Sequence, residues 1–98
     1  MTNRPRFRDR DTVRFADGLY VRRLVGVPRR RAEIALDRLE QATSLIDLRE
    51  PPGNRFEKLL GNRAGQYSIR INDQWRVCFE WPAGSHEPFN IEIVDYHD

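Results

Sequence analysis

Cysteine is almost absent from the sequence, which contains Cys78 and no other. A single thiol excludes an internal disulfide framework and a zinc site with four thiolates, and it suits a reducing compartment. Long apolar runs are absent too. No stretch approaches the ~20 apolar residues of a membrane span, and residues 1–11 are polar and rich in arginine instead of forming an apolar signal core. We therefore expect a cytoplasmic protein that makes no membrane contact.

Lysine is equally scarce. The sequence has 17 basic residues and a net charge of +2, and Lys58 is the only lysine among them. The planar guanidinium of arginine matches phosphate and carboxylate groups, so the excess of arginine favours an anionic partner. A GC-rich genome that encodes arginine in place of lysine explains the composition equally well. The placement of the arginines must therefore decide between these interpretations.

The length of 98 residues predicts one domain, 1–98, with helices in its first half. Asp9 and the residues after it have N-capping character, and they predict a short helix that ends at Gly18. Pro28 marks the start of a longer helix, whose buried face follows the i, i+3, i+4, i+7 spacing. That face comprises Ala32, Ala35, Leu36, Leu39, Ala42 and Thr43. The prolines and glycine at 51–53 end the helical pattern.

The second half of the sequence shows the alternation of β-strands. It predicts a weak strand at 56–60 and clear strands at 66–71, 75–81 and 89–94, and a short edge strand is predicted at 4–8. The loops between the later strands are too short for parallel crossovers, so the sheet should be largely antiparallel. The sequence therefore predicts a small α+β domain in which two or three N-terminal helices pack on one face of this sheet.

Alternation divides the strand residues between two faces. The apolar set should point at the helices and consists of Tyr67, Ile69, Ile71, Trp75, Val77, Phe79 and Trp81. The opposite set is polar and basic and consists of Ser68, Arg70, Asn72, Arg76, Cys78 and Glu80. Because antiparallel sheets commonly leave one face solvated, this second face is either an ordinary wet surface, with Cys78 half-buried, or a surface that binds nucleic acid.

Several stretches resemble one known family, at residues 44–48, 51–55, 61–71, 72–79 and 94–97. Their most specific parts are a Gly-x-Arg-x-Gly loop at 61–65, a Ser-Ile-Arg-Ile-Asn strand at 68–72 with Trp-Arg after it, and an Asp-Tyr-His ending at 95–97. In these motifs the chain is similar to the HigB-type toxins, the plasmid-maintenance killer proteins of the RelE superfamily. The resemblance spans essentially the whole chain, more loosely before Val27.

The resemblance implies the microbial-ribonuclease-like α+β fold of that superfamily. It also implies an enzyme, a ribosome-dependent endoribonuclease that cleaves messenger RNA in the ribosomal decoding site. The implied partners are the ribosome with its messenger RNA and a helix-turn-helix antitoxin of the HigA type, through which the toxin–antitoxin complex would bind operator DNA. No cofactor is implied. His86, His97 and Cys78 also lack the spacing of metal ligands, so we expect no metal site.

RNA cleavage without a metal needs a base for the ribose 2′-hydroxyl, cations for the phosphate and an acid for the departing 5′-oxygen. By resemblance, Arg76 is the catalytic arginine and Arg63 supports it. His97 would carry the proton, since an imidazole titrates near ~6.5, and Asp95 would act as base or orient that ring.

Binding of the substrate has its own candidates. Tyr96 would stack on a base or hydrogen-bond a phosphate, and Arg63 and Arg70 would hold phosphates. The structural alternatives are that Asp95 forms a cross-strand ion pair with Arg76 and that Tyr96 packs at the sheet edge.

The chain departs from the family pattern at two positions. Glu57 stands where HigB-type toxins frequently have a histidine, and Leu60 stands where a lysine often precedes the glycine. Glu57 stays a candidate catalytic base, because carboxylates have this role in the wider ribonuclease-like fold. The alternative is a solvated Glu57 that pairs with Lys58 or a nearby arginine and contributes little.

The last strand presents a geometric difficulty. Strict alternation places Asp95 and His97 on the buried side with Ile93, and Tyr96 on the other side. A bulge, or the end of strand pairing, before Asp95 would bring this group towards Arg76, and we expect such an irregularity there.

Two other functions stay open. An inhibitory protein of the same superfamily that poisons DNA gyrase without hydrolysing anything would not need the acid and the imidazole at 95–97. A catalytically silent subunit that binds RNA or regulates transcription is consistent with Glu57 and Leu60.

Overall fold

The structure is a computed structural model that describes residues 6–95. It contains three α-helices, α1 (Arg10–Ala16), α2 (Arg29–Gln41) and α3 (Ile46–Arg49). Four strands follow, β1 (Glu57–Lys58), β2 (Gln66–Arg70), β3 (Trp75–Glu80) and β4 (Phe89–Asp95), with 3₁₀ turns at Arg22–Leu24, Pro52–Asn54 and Gly61–Arg63. The predicted α+β class is confirmed. Within residues 6–95, no helix is long and apolar enough to cross a membrane.

Helix α1 begins where the capping residues predicted. The Asp9 carboxylate accepts a hydrogen bond from the backbone N–H of Thr12 over 3.1 Å, which satisfies one of the free donors of the first turn. The buried Thr12 hydroxyl in turn accepts from the backbone N–H of Ile93 over 3.1 Å. Gly18, with φ +86°, follows the helix in the left-handed conformation that glycine adopts without strain. Helix α1 is therefore fixed directly to strand β4.

Helix α2 buries most of the face that its spacing predicted. Ala32, Ala35, Leu36 and Leu39 are buried within it, and Ala42 is buried just beyond its end. Thr43 was predicted on this face and is exposed, because the helix ends at Gln41 and the backbone of Ala42 is already extended. Pro28 lies one position before the helix, where its carbonyl accepts from the N–H of Ala32.

The four strands form one antiparallel sheet in the order β1-β2-β3-β4. Ile69, Val77 and Ile93 lie opposite one another across its centre and are fully buried in the hydrophobic core. The predicted strand at 56–60 is reduced to Glu57–Lys58. Of the predicted edge strand at 4–8, Phe7 forms a single parallel bridge with Ile91 at the free side of β4.

The irregularity in β4 lies at the opposite end of the strand from the predicted one. Cys78 pairs with Glu92 but Glu80 pairs with Phe89, so β4 holds one extra residue there, and Asn90 has a positive φ of 52°. From Glu92 onward the register is regular. The bulge expected before Asp95 is therefore wrong, because Asp95 is still paired with Trp75 and shares that residue's side of the sheet.

Candidate active site

Glu57, Arg70 and Arg76 of the predicted site lie on the sheet face away from α1 and α2, which we call the polar face, whereas Asp95 lies on the other side of the sheet with Trp75. Strand pairing sets residues on this face into two neighbouring rows. The first row is Glu57, Ser68, Cys78 and Glu92, and the second row is Arg70, Arg76 and Val94. Because cross-strand partners project to the same side, Glu57 and Arg76 belong to one surface although they are 19 positions apart.

Arg76 is held by contacts on two sides. Its Nε donates to the Ser68 hydroxyl over 2.7 Å, and its Nη2 donates to the backbone carbonyl of Arg55. The same Nε lies 4.0 Å from the Glu57 carboxylate. The side chain of Arg76 is only 11% exposed, while that of Glu57 is 54% exposed. The guanidinium of Arg76 therefore folds down onto the sheet and is largely covered.

Arg55 is brought to Arg76 by an unusual backbone conformation. With φ +46° and ψ +49° it is left-handed, which is uncommon for a residue other than glycine. The preceding Asn54 is 1% exposed; its amide donates to the carbonyl of Leu48 over 3.1 Å and accepts from Arg38 of helix α2. These contacts hold the turn so that the Arg55 carbonyl faces the Arg76 guanidinium.

A cleft of about 400 Å³ opens beside these residues. It is lined by Arg55, Phe56, Glu57, Arg70, Asp73 and Arg76. The cleft thus combines three arginines, whose guanidinium groups suit a phosphate, with the exposed carboxylates of Glu57 and Asp73, which can accept a proton. The sequence predicted Arg70, Arg76 and Glu57 as site residues, and the structure brings these three together.

Arg55 and Phe56 line the cleft but were missed from the sequence. Arg55 stands in the Pro-Pro-Gly-Asn-Arg stretch that carried part of the family resemblance, and this was the available signal. Its place in the cleft depends on the contact of Asn54 with Arg38, 16 positions away, which no local pattern reveals.

The centre of the polar face is covered and not wet. Ser68 and Cys78 are both 0% exposed. The Glu92 carboxylate lies between two cations, with Arg8 Nε at 2.8 Å from one oxygen and Arg63 Nη2 at 3.1 Å from the other. Cys78 is therefore fully buried where half-burial was expected, and burial raises the pKa of its thiol to about 11.

Two arginines predicted to hold phosphates have partners within the protein. Arg63 donates to Gln66 over 2.9 Å as well as to Glu92. Arg70 forms an ion pair with Asp73, whose side chain is 98% exposed. Arg70 lines the cleft and its ion pair with Asp73 is solvent-exposed, whereas Arg63 binds Glu92 at the covered centre of the face.

The predicted C-terminal group is described only in part. Asp95 is exposed, and one of its carboxylate oxygens accepts from the side-chain amide of Gln74 over 3.0 Å. Tyr96 and His97 lie outside the described residues. Within residues 6–95, no group of three or more His, Cys, Asp and Glu side chains is placed to hold a metal ion.

Comparison with known proteins points to one family. A family model for HigB-like toxins, described as the RelE-like toxin of the type II toxin-antitoxin system HigB, matches residues 6–97. Toxin HigB-1 of Vibrio cholerae serotype O1 (strain ATCC 39315 / El Tor Inaba N16961) is 53% identical over 49 residues. That alignment covers 50% of this chain and 52% of the Vibrio protein, so the chain spans about half the length of the curated relative it matches.

Proposed function

Since the chain belongs to the HigB-like family of RelE-like toxins of type II toxin-antitoxin systems, we propose that it is an endoribonuclease that cuts messenger RNA during translation. The observation that carries this proposal is the cleft in which the largely covered guanidinium of Arg76 lies 4.0 Å from the accessible carboxylate of Glu57. A fixed cation and an accessible carboxylate supply two of the three groups that phosphodiester cleavage by an adjacent hydroxyl requires, the cation for the phosphate and the base for the hydroxyl.

Glu57 is the proposed general base. Its carboxylate takes the proton of the ribose 2′-hydroxyl, whose oxygen then attacks phosphorus, and the bond from phosphorus to the 5′-oxygen breaks. The products are a 2′,3′-cyclic phosphate and a free 5′-hydroxyl. A side chain that is 54% exposed can reach a substrate without displacing other groups.

Arg76 is the proposed stabiliser of the charge that develops on the phosphate. Its attachment to Ser68 and to the Arg55 carbonyl fixes its position before the substrate arrives, so little reorganisation accompanies the reaction. Arg70, across the strand pair from Arg76, would exchange its exposed partner Asp73 for a substrate phosphate. Arg63 would support the site by neutralising Glu92 on the same face of the sheet.

The C-terminal residues complete the proposal. His97 would give its proton to the departing 5′-oxygen, and Asp95 would orient that imidazole. Tyr96 would stack on a substrate base or hydrogen-bond a phosphate. These assignments follow from the match of the Asp-Tyr-His ending to the family.

The proposed partners follow from the family as well. A toxin of a type II system is neutralised by an antitoxin protein, and we assign this chain a helix-turn-helix antitoxin of the HigA type. The complex would bind operator DNA through the antitoxin, and the free toxin would act on the ribosome.

The test is a reconstituted translation reaction with purified toxin. Primer extension maps the 5′ ends of a defined transcript with and without ribosomes, and again with the start codon removed. We expect cuts only within the translated frame, and protection when purified antitoxin is added. If transcripts stay intact and the toxin inhibits the supercoiling of DNA that gyrase carries out, the proposal is contradicted and the protein is a gyrase inhibitor. Intact transcripts and undisturbed growth on induction would contradict it equally and indicate a silent subunit.

A further inference from the structure

A second hollow adjoins the cleft and has no place in the chemistry described above. Its volume is about 610 Å³, and it shares Arg55 and Phe56 with the cleft. Its walls include Arg49, Pro51, Arg55, Phe56, Lys58 and Tyr67. A group bound there would therefore lie next to whatever occupies the cleft.

The aromatic wall of this hollow is fixed in the core. The rings of Phe56 and Tyr67 stack with centroids 5.4 Å apart and planes inclined by 26°. Tyr67 packs in turn against Phe79, at 6.0 Å between centroids, and Phe79 is fully buried. Phe56 is the outermost ring of this series and is partly exposed. Its position is set by the core, so it offers a firm apolar surface at the wall between the two hollows.

The charge of the hollow has one sign. Arg49, Arg55 and Lys58 are exposed, and all the charged residues that line it are basic. In the part of the chain that the structure describes, no carboxylate forms a salt bridge with any of these three cations. The cleft, in contrast, holds Glu57 and Asp73 beside its arginines. The hollow therefore suits a ligand whose charges are all negative and which also has a flat apolar group.

We propose that this hollow binds an unstacked RNA nucleotide beside the cleft in which the messenger is cut. The base would lie against Phe56, and Arg49 and Lys58 would hold the flanking phosphates. The inference rests on the proposed function and deepens it by assigning a second nucleotide site. The nucleotide comes either from the messenger or from an exposed stretch of ribosomal RNA, since both present the same chemistry.

The experiment compares Phe56→Leu, which removes the aromatic face and retains an apolar side chain, with Phe89→Leu as a matched control. Arg49→Gln and Lys58→Gln are compared with Arg30→Gln, an exposed arginine on helix α2. The first probe is a fluorescein-labelled 2′-O-methyl RNA heptamer, which cannot be cut, and its affinity is measured by anisotropy. The second probe is vacant ribosomes without messenger, and the measurement is the toxin that pellets with them. Urea unfolding confirms that each variant is folded.

We expect Phe56→Leu to weaken binding to at least one probe by about tenfold, because stacking on an aromatic side chain contributes that much per base. Arg49→Gln and Lys58→Gln should each reduce the slope of log affinity against log salt by about 0.7 on the oligonucleotide. Weakening confined to the oligonucleotide identifies messenger as the source, and weakening confined to the ribosomes identifies ribosomal RNA.

Wild-type affinity of Phe56→Leu for both probes would overturn this inference while leaving the proposed function intact, provided that Arg76→Lys still impairs cleavage. Unchanged RNA binding with weakened antitoxin binding would also overturn it and show that the hollow is a protein-docking site. A wild-type chain that binds neither probe and cuts no translated transcript would instead refute the proposed function itself.

Discussion

Replacing Arg76 with alanine removes the group that holds the cleft together. The lost contacts are the 2.7 Å hydrogen bond to Ser68 and the hydrogen bond to the Arg55 carbonyl, both from a charged donor that is 11% exposed. A hydrogen bond to a charged group contributes ~1.5–3 kcal/mol to stability. The contact with Arg55 is the more exposed of the two and should contribute less than the contact with Ser68. Taking the two contacts together, we expect Arg76→Ala to lower the free energy of unfolding by about 3 kcal/mol.

Part of that loss comes from the partner that Arg76 leaves behind. Ser68 is 0% exposed, and a buried hydroxyl without its partner costs ~1–3 kcal/mol. Ser68→Ala alone should destabilise the protein, because the Nε of Arg76 loses its acceptor. Adding Ser68→Ala to Arg76→Ala should instead restore about 1 kcal/mol, because it removes the unpaired hydroxyl. Urea unfolding followed by circular dichroism measures all three variants, with equal m-values as the check on two-state behaviour.

Arg70→Ala is the control, because Arg70 lies opposite Arg76 in the next strand but pairs with the exposed Asp73. We expect it to cost less than about 1 kcal/mol. If Arg76→Ala cost no more than Arg70→Ala, the contacts of Arg76 would not stabilise the cleft. Additive destabilisation by the Ser68 and Arg76 substitutions would likewise show that the two side chains are not coupled.

Three further predictions concern residues around the site and the helices. The thiol of Cys78, with a pKa of about 11 instead of 9.0, should react with iodoacetamide at pH 8 about 100-fold more slowly than in urea, and equal rates would show that the polar face is open. Glu92→Gln should lower the free energy of unfolding by about 1–2 kcal/mol, because it leaves two arginines facing a neutral amide, whereas Glu87→Gln, at an exposed pair, should be nearly neutral by the same urea assay. The backbone N–H groups of Thr43 and Ser44 lower the pKa of Asp47 below 3.8. The stability that these hydrogen bonds provide is therefore present above that value and is lost as the pH falls. The melting temperature of Asp47→Asn should fall less steeply in acid than that of the wild type, and identical dependence of the two melting temperatures on pH would contradict this.

Apart from helix α1, which its capping residues predicted, the elements that the sequence predicted best are those with a regular period. Helix α2 repeats its small and aliphatic residues along one face over three turns, and strands β2 and β3 alternate without interruption. Helix α3 was not predicted because it spans a single turn, too short for a period to show, and depends on the Asp47 carboxylate accepting from the backbone of Thr43 and Ser44. Asn90 was the available signal for the bulge in β4, since asparagine tolerates a positive φ.

The candidate site was predicted only in part, because the sequence shows the parity of each strand and not the tertiary contacts between elements. Strand parity correctly assigns Ser68, Arg76 and Cys78 to the face away from the helices, because parity is a local property of the chain. It says nothing about what covers that face. Arg8 and Arg63 are 55 positions apart in the sequence and meet at Glu92, and only the tertiary fold brings them there.

The most direct test of the proposed cleft is the single-turnover rate at which Glu57→Gln cuts a translated transcript. Glutamine keeps the shape of the side chain and cannot take a proton, so we predict a rate at least about 100-fold below wild type. Glu87→Gln, the same substitution in the exposed turn after β3, should cut at the wild-type rate, and both variants should unfold at the wild-type urea concentration. A folded Glu57→Gln protein that cuts as fast as wild type would contradict the account.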